Sequence, residues 1–439
     1  MHGEAGVVSE GLATPQRRMG LSATLSLVVA SMIGTGVFTT TGYLVDDIPS
    51  AGGLLVCWAV AGIAALCGAL CYAELGTAMP QIGGEYRFLS ELVHPAVGFT
   101  SAFVSLIVGF SAPLAALALA FGSYLQALLP AIPAGASAAT LVVVMSALNA
   151  WRVSAGASAH TAFTVIKVLL ITGFALVGLT AGDAAGLAAG APTAEVVFEP
   201  GFAVGLIWVS FSYTGWNAAA YVAGEVAAPE RTLPRALLIG TLLVTVLYVG
   251  LNAAFLMSAP LEALCGKAEV GHIAATAVLG PVGGKVMSGI IAAGLVSTVG
   301  ALVVTGPRVY EAVGHDFPRL ARLSHRKGES GPVYAVGLQA VLALAFMAKA
   351  SLRQLLGYIG FTLSLFAALT VSCVFLLRRR GIAAPFRTWG YPVTPLVFLA
   401  LMAWMIVAAI QKEPEVLAAA GATFLVALVL YRAVGMSSS

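Results

Sequence analysis

Three places in this 439-residue chain hold residue types suited to binding chemistry. Gly34, Thr35 and Gly36 sit in the middle of the apolar run LSLVVASMIGTGVFTTTGYLV. Ser212, Tyr213, Thr214 and Gly215 sit in the middle of GLIWVSFSYTGWNAAAYVAG. Lys167 is a lone cation near the centre of AGASAHTAFTVIKVLLITGFALVGLTAG. None of the three sets a nucleophile beside a base or gathers metal ligands, so their chemistry is recognition rather than bond-making. Glycine costs a helix about 1 kcal/mol relative to alanine, and a small polar cluster inside an apolar run predicts an unwound turn. Where a helix resumes, its free N–H groups and positive dipole end suit a carboxylate. Where one stops, its free carbonyls suit an ammonium. Two such breaks together match the two charged ends of an α-amino acid. The alternative for each cluster is close helix packing, and Gly62, Gly68, Gly173 and Gly178 are read that way.

Lys167 has no acid within a helical turn. A charge at mid-bilayer costs at least about 2.5–3.5 kcal/mol, so such a residue faces the interior of a helix bundle and finds carbonyls or hydroxyls. Ser297, Thr298 and carbonyls freed near Gly34 are the candidate partners. The alternative is a lysine nearer one surface whose head reaches water.

These residues need a lipid-embedded frame. Hydrophobic residues make up 59% of the chain and charged residues 9%, and mean hydropathy is +0.96. Soluble proteins carry about 25% charged residues, so a soluble enzyme, a disordered chain and a nucleic-acid binder are excluded. Net charge is only +3. Apolar runs of the roughly 20 residues that cross a bilayer are expected near 21–46, 52–79, 96–128, 138–150, 155–181, 201–224, 234–258, 284–310, 332–350, 353–377, 393–411 and 415–432. The expected fold class is therefore an all-α integral membrane protein with 12 transmembrane helices. With both termini inside, sixteen of the 22 basic residues fall in inside loops and five outside, as positive-inside sorting requires. The N-terminus reads as uncleaved, with Arg17 and Arg18 holding it in the cytoplasm. Cys67 and Cys71, at helical spacing with no His or acid beside them, are read as packing, and no metal, cofactor or disulfide framework is expected. GGEYRFLSELVHP, residues 83–95, is amphipathic and is placed on the cytoplasmic surface.

Three motifs carry a family resemblance. SMIGTGVF (31–38), CYAELGTAMPQIGGEYRFL (71–89) and FSYTGWNAAAYVAGEVAAPERTLPRAL (211–237) resemble the first-helix, second-helix and sixth-helix signatures of the amino acid–polyamine–organocation superfamily, closest to its L-amino acid transporter branch. The resemblance covers residues 20–432. It implies the leucine-transporter fold, a 5+5 inverted repeat plus two C-terminal helices. That places a cytoplasmic tail at 1–19, a first repeat in 20–181, a second in 200–378, the last two helices in 392–432 and a tail at 433–439. It further implies alternating access, with the substrate carboxylate at Gly34, Thr35 and Gly36, the amino group at the carbonyls of Met32, Phe211 and Thr214, and Phe211 as an aromatic lid. Lys167 matches a lysine that stands for sodium in sodium-independent members. Thr35 departs from the commoner serine and implies a smaller substrate. LPAIPAGAS (129–137) lacks the cysteine that bonds a glycoprotein subunit in animal members, so no disulfide-linked subunit is implied.

No acid lies centrally in the expected first, third, sixth, eighth or tenth runs, which favours neutral amino acids over cationic amino acids, polyamines or other amines. Phe103, Phe110, Phe361 and Phe366 are read either as pocket lining or as ordinary packing. Glu225, Glu230, Arg231 and Arg235 with Glu85 and Arg87 are read either as a gate network or as a solvated loop. The expected partners are an amino acid and membrane lipids, the expected assembly a monomer or homodimer in a bacterial inner membrane. A channel lacks its polar lining, and a sensor its output domain.

Overall fold

A computed structural model describes residues 19–81, 83–151, 157–183, 194–316, 318–325 and 332–435. Arg17, Arg18, Arg152, Arg326, Lys327 and the last four residues lie outside these, as does the side chain of His160. The described residues are mostly helical, and an isolated bridge joins Met19 to Val226. Among the described residues, nine helices are long and apolar enough to cross a membrane. Three shorter apolar helices, Val165–Ala181, Pro200–Tyr213 and Val333–Lys349, stand where the fifth, sixth and ninth runs were expected.

In chain order the site-bearing helices are α1 (Leu21–Met32), α2 (Gly36–Leu44), α3 (Ala51–Ala78), α4 (Glu85–Leu92), α5 (Pro95–Leu128), α6 (Ala134–Trp151), α7 (Ala157–Ala181), α8 (Pro200–Tyr213), α9 (Ala218–Tyr221), α10 (Pro229–Ser258), α11 (Val270–Asp316), α12 (Val333–Lys349) and α13 (Leu352–Arg379). Val393–Lys412 and Pro414–Gly435 follow. Their ends carry local signals. The Ser50 hydroxyl accepts from the Gly53 N–H, and Ser351 and Gln354 form a reciprocal capping box. Prolines open α5, α8 and α10, where a missing N–H costs nothing.

The structure adjusts the expected boundaries at three points. Residues 105–111 of α5 form a π-helical turn, bonded at its Leu106 carbonyl by the Tyr310 hydroxyl at 2.7 Å. Helix α11 begins at Val270, well before the expected 284, and is kinked at Gly280, whose φ of 74° only glycine adopts without strain. The sixth run stays helical through Ser212 and Tyr213, and its break starts at Thr214. The core lies where α10 packs on α3 and α7, α11 on α5, and α8 on α13.

Candidate functional site

The two expected breaks are present and they meet. The first run stops at Met32 and resumes at Gly36; the second stops at Tyr213 and resumes at Ala218. Their contact is reciprocal. A Cβ on Gly36 would fall 2.3 Å from Ser212 Oγ, and a Cβ on Gly215 would fall 2.6 Å from the Ser31 carbonyl. Each break therefore lays a glycine against the helix that enters the other. Gly215 also has φ of 98°, which makes it doubly hard to replace. The Thr40 and Ser212 hydroxyls, 3.0 Å apart, join the two below the crossing.

The breaks free backbone groups, and the chain uses some of them itself. The Met32 carbonyl accepts from the Gly34 N–H at 2.8 Å and the Tyr248 hydroxyl at 2.6 Å. The Phe211 carbonyl accepts from the N–H of Thr214 at 3.0 Å and its hydroxyl at 2.7 Å. Both lone pairs of each carbonyl are thus occupied in this conformation. The Thr214 carbonyl has no donor among the described residues. The first N–H groups of α2 have no intrahelical acceptor. The Thr35 hydroxyl is buried and has no partner among the described residues.

Lys167 reaches into this region from α7. Its Nζ lies 2.5 Å from Thr298 Oγ1 on α11 and 3.5 Å from the Ile33 carbonyl in the first break. Gly294, one turn before Thr298, leaves room for the lysine stem, whose Cε would lie 3.5 Å from a Cβ there. Thr298 is thus the hydroxyl partner; Ser297 is half-buried one residue away and lines no part of the cavity. The lysine ties α7, α11 and the first break together, as the interior reading required.

The breaks border a cavity of about 1050 Å³. Met32, Gly34, Thr35, Gly36, Phe211 and Thr214 all line it, with Lys167 and Thr298 beside them. Phe103, Phe110 and Ile107 from the π-helical stretch of α5 and its approach form an apolar wall. Phe361 and Phe366 do not line it: both are buried on α13, and Phe366 packs its ring edge on Phe424. The cavity extends to Glu85, Arg87, Arg308 and Leu320 at one end of the bundle. At the other end the route is shut. Arg353 pairs with Asp46 and Asp47 at 3.2 Å each and covers the Trp208 ring at 4.5 Å. The Tyr124 hydroxyl donates to the Phe38 carbonyl, and the Gly266 N–H to the Gly42 carbonyl. Burial raises the Asp47 carboxyl above its usual range, with Arg353 opposing the shift.

Of the two readings of the 225–235 loop, gate network or solvated loop, no ion pair among the described residues favours the gate network. Among the described residues no ion pair joins Glu225, Glu230, Arg231 or Arg235, and Arg87 lies over the Tyr86 ring at 5.7 Å. Glu85 is buried instead, accepting from the Tyr72 hydroxyl at 2.6 Å and the Asn217 amide at 2.9 Å. Glu74, near the end of α3, forms a bidentate pair with Arg378 at 2.8 and 2.9 Å and accepts from the Thr388 N–H at 2.7 Å. The residues that sequence reasoning missed are Tyr248, Tyr72 and Asn217. Tyr248 gives no signal in an apolar run. Asn217, directly after Gly215 and Trp216 in the quoted motif, was available as one.

A helical membrane protein with two broken helices meeting in a one-sided cavity is built as a carrier. The chain belongs to the amino acid permease family, whose pattern it matches over residues 19–434 and which lies in the amino acid–polyamine–organocation superfamily. It is similar to the serine/threonine exchanger SteT of Bacillus subtilis (strain 168), 30% identical over 88% of this chain and 89% of that protein. It is 28% identical to the b(0,+)-type amino acid transporter 1 of Mus musculus, over 91% of this chain and 84% of that one. It is also 28% identical to the large neutral amino acids transporter small subunit 2 of Homo sapiens, over 94% and 79% respectively.

Proposed function

We propose that the protein carries neutral L-amino acids across the membrane by alternating access, without sodium, as an exchanger or in a proton-linked mode. The observation that carries this reading is the buried, unpartnered Thr35 hydroxyl in the first break. A buried hydroxyl without a partner costs roughly 1–3 kcal/mol, and a substrate carboxylate would satisfy it together with the N–H groups of Thr35 and Gly36. The Thr214 carbonyl is the acceptor left open for the ammonium, and the Phe211 ring closes over the substrate. The carbonyls of Met32 and Phe211 join the amino-group site only when Tyr248 and Thr214 release them.

Lys167 supports sodium independence, because its ammonium already sits between the first break and α11, where a cation would otherwise join them. The apolar wall of Phe103, Phe110 and Ile107 supports a neutral side chain, since the one acid that lines the cavity, Glu85, is already bound to Tyr72 and Asn217. The nine long and three shorter apolar helices make up twelve spans in this reading. The reciprocal glycine contacts support two inverted repeats within residues 20–181 and 200–378, followed by two helices within 392–432. Both termini then face the cytoplasm of a bacterial inner membrane, and the cavity is open inward. The relatives named as amino acid exchangers and transporters agree with this reading. No disulfide-linked subunit is part of it.

The test is ligand stabilisation of the purified protein. Alanine, serine or leucine should raise the unfolding temperature in sodium-free buffer, and Thr35→Val should reduce the increase at a given ligand concentration. Stabilisation by arginine or putrescine alone would replace this reading with a carrier of organic cations, in which Glu85 would meet the distal charge.

A further inference from the structure

Glu85 is a carboxylate in an unusual setting. It opens α4 directly after Gly83 and Gly84, whose φ values are 126° and 49°. Gly84 is pressed against the Tyr221 ring, where a Cβ would fall 2.8 Å away, and the Gly83 N–H donates to the Tyr221 carbonyl at 3.0 Å. The turn thereby inserts Glu85 between α3 and the second break. Tyr72 comes from α3, Asn217 from the break, and the Tyr221 hydroxyl from α9.

All three partners are neutral donors. On α4 the nearest charge is Arg87, turned over Tyr86. On α3 the nearest is Glu74, itself held by Arg378 of α13. Tyr72 is backed by Thr370 of α13 and Tyr221 by Ser105 of α5, both uncharged. Arg308 of α11 lines the same cavity, and among the described residues no cation pairs with Glu85. A buried carboxylate without a cation favours its protonated form, and burial raises Glu85 above the usual carboxylate range against the pull of the three donors.

We propose that Glu85 is the proton-exchanging latch of the transport cycle: ionised, it holds the second break to α3; on taking a proton from the cavity, it lets that break move. The geometry dictates the consequence. An ionised carboxylate accepts charge-assisted hydrogen bonds from these donors, whereas a protonated one loses that charge and brings its own O–H, for which a tyrosine hydroxyl must turn from donor to acceptor. Every contact of the cluster is thereby weakened, including that of Asn217 in the break that carries Thr214. The step is a simple transfer: hydronium in the water of the cavity gives its proton to a Glu85 oxygen and leaves as water. The proposal rests on the carrier reading, and adds the residue through which pH acts on it.

The experiment measures labelled-alanine exchange in proteoliposomes as pH is lowered stepwise from neutral, since burial raises the Glu85 carboxyl above the usual carboxylate range. Wild-type flux should rise severalfold as pH falls. Glu85→Gln should flatten the profile, and Tyr72→Phe, which removes a donor to the ionised form, should move its midpoint to higher pH. Wild-type flux independent of pH, or a Glu85→Gln profile like the wild type's, would overturn the proposal while leaving the carrier reading intact. If the wild type moves no alanine, that reading fails instead, and the latch is judged by unfolding temperature against pH. Because the folded carboxyl is raised, stability is fully present below the unfolded-state value and lost as pH rises through the folded one. Glu85→Gln should remove that loss, and a loss it leaves unchanged overturns the proposal.

Discussion

The hydroxyl of Thr35 and the ammonium of Lys167 make opposite demands on this chain. The hydroxyl is buried and waits for a partner; the ammonium is half-buried and has found two. Thr35→Val keeps the shape and removes the hydroxyl, so it should raise the alanine KM about fivefold, the worth of one hydrogen bond of about 1 kcal/mol. The unfolding temperature of the empty protein should not fall, because no contact is lost. Lys167→Ala removes a charged donor to the first break. It should lower exchange at least about tenfold, the lower end of what a charge-assisted hydrogen bond contributes, while the protein still elutes as a single folded species. Unchanged kinetics would mean that the lysine merely reaches toward a surface. The two glycines beside Thr35 should differ sharply. A Cβ on Gly34 meets nothing nearer than the Met32 carbonyl at 4.0 Å, whereas one on Gly36 strikes Ser212. Gly34→Ala should express normally and Gly36→Ala poorly, as fluorescence-detected size exclusion would show.

Broken helices are legible in sequence because glycine and small polar residues are costly in an apolar run unless the backbone there is used. That logic located both breaks, but it set the second one too early. Ser212 and Tyr213 remain helical because their side chains are spent elsewhere, Ser212 on Thr40 and Tyr213 on the Trp58 carbonyl at 3.0 Å. The π-helical stretch of α5 and the early start of α11 gave no signal, since both depend on tertiary partners such as Tyr310. The same holds for Glu74. Three donors from α13 and the loop after it converge on its carboxylate, with Arg378 also lying 3.7 Å from the Tyr391 ring, and no local pattern encodes that meeting. Glu74→Gln breaks this clamp and leaves a partly buried guanidinium. Because Arg378 is 26% exposed, the cost should be about 2 kcal/mol, below the range for a fully buried pair. A lower unfolding temperature with an unchanged alanine KM would check that the clamp supports the fold and not the site.

A cavity closed off toward Arg353, Asp46 and Asp47 and reaching Glu85 and Arg308 is what the proposed alternating cycle needs as one of its two states. The composition announced a polytopic membrane protein, and the motifs pointed to the two breaks, but which end is closed depends on contacts of Tyr124 with Phe38 and of Gly266 with Gly42 that no local pattern encodes. The central claim is that this molecule moves neutral amino acids without sodium. The most direct measurement is uptake of labelled alanine into sodium-free proteoliposomes, loaded either with unlabelled alanine or with buffer alone, with labelled arginine run in parallel. The account predicts alanine uptake that needs internal amino acid or an imposed proton gradient, is insensitive to added sodium, and is lost in Lys167→Ala. Alanine uptake that appears only with sodium, or arginine uptake in its place, would contradict it.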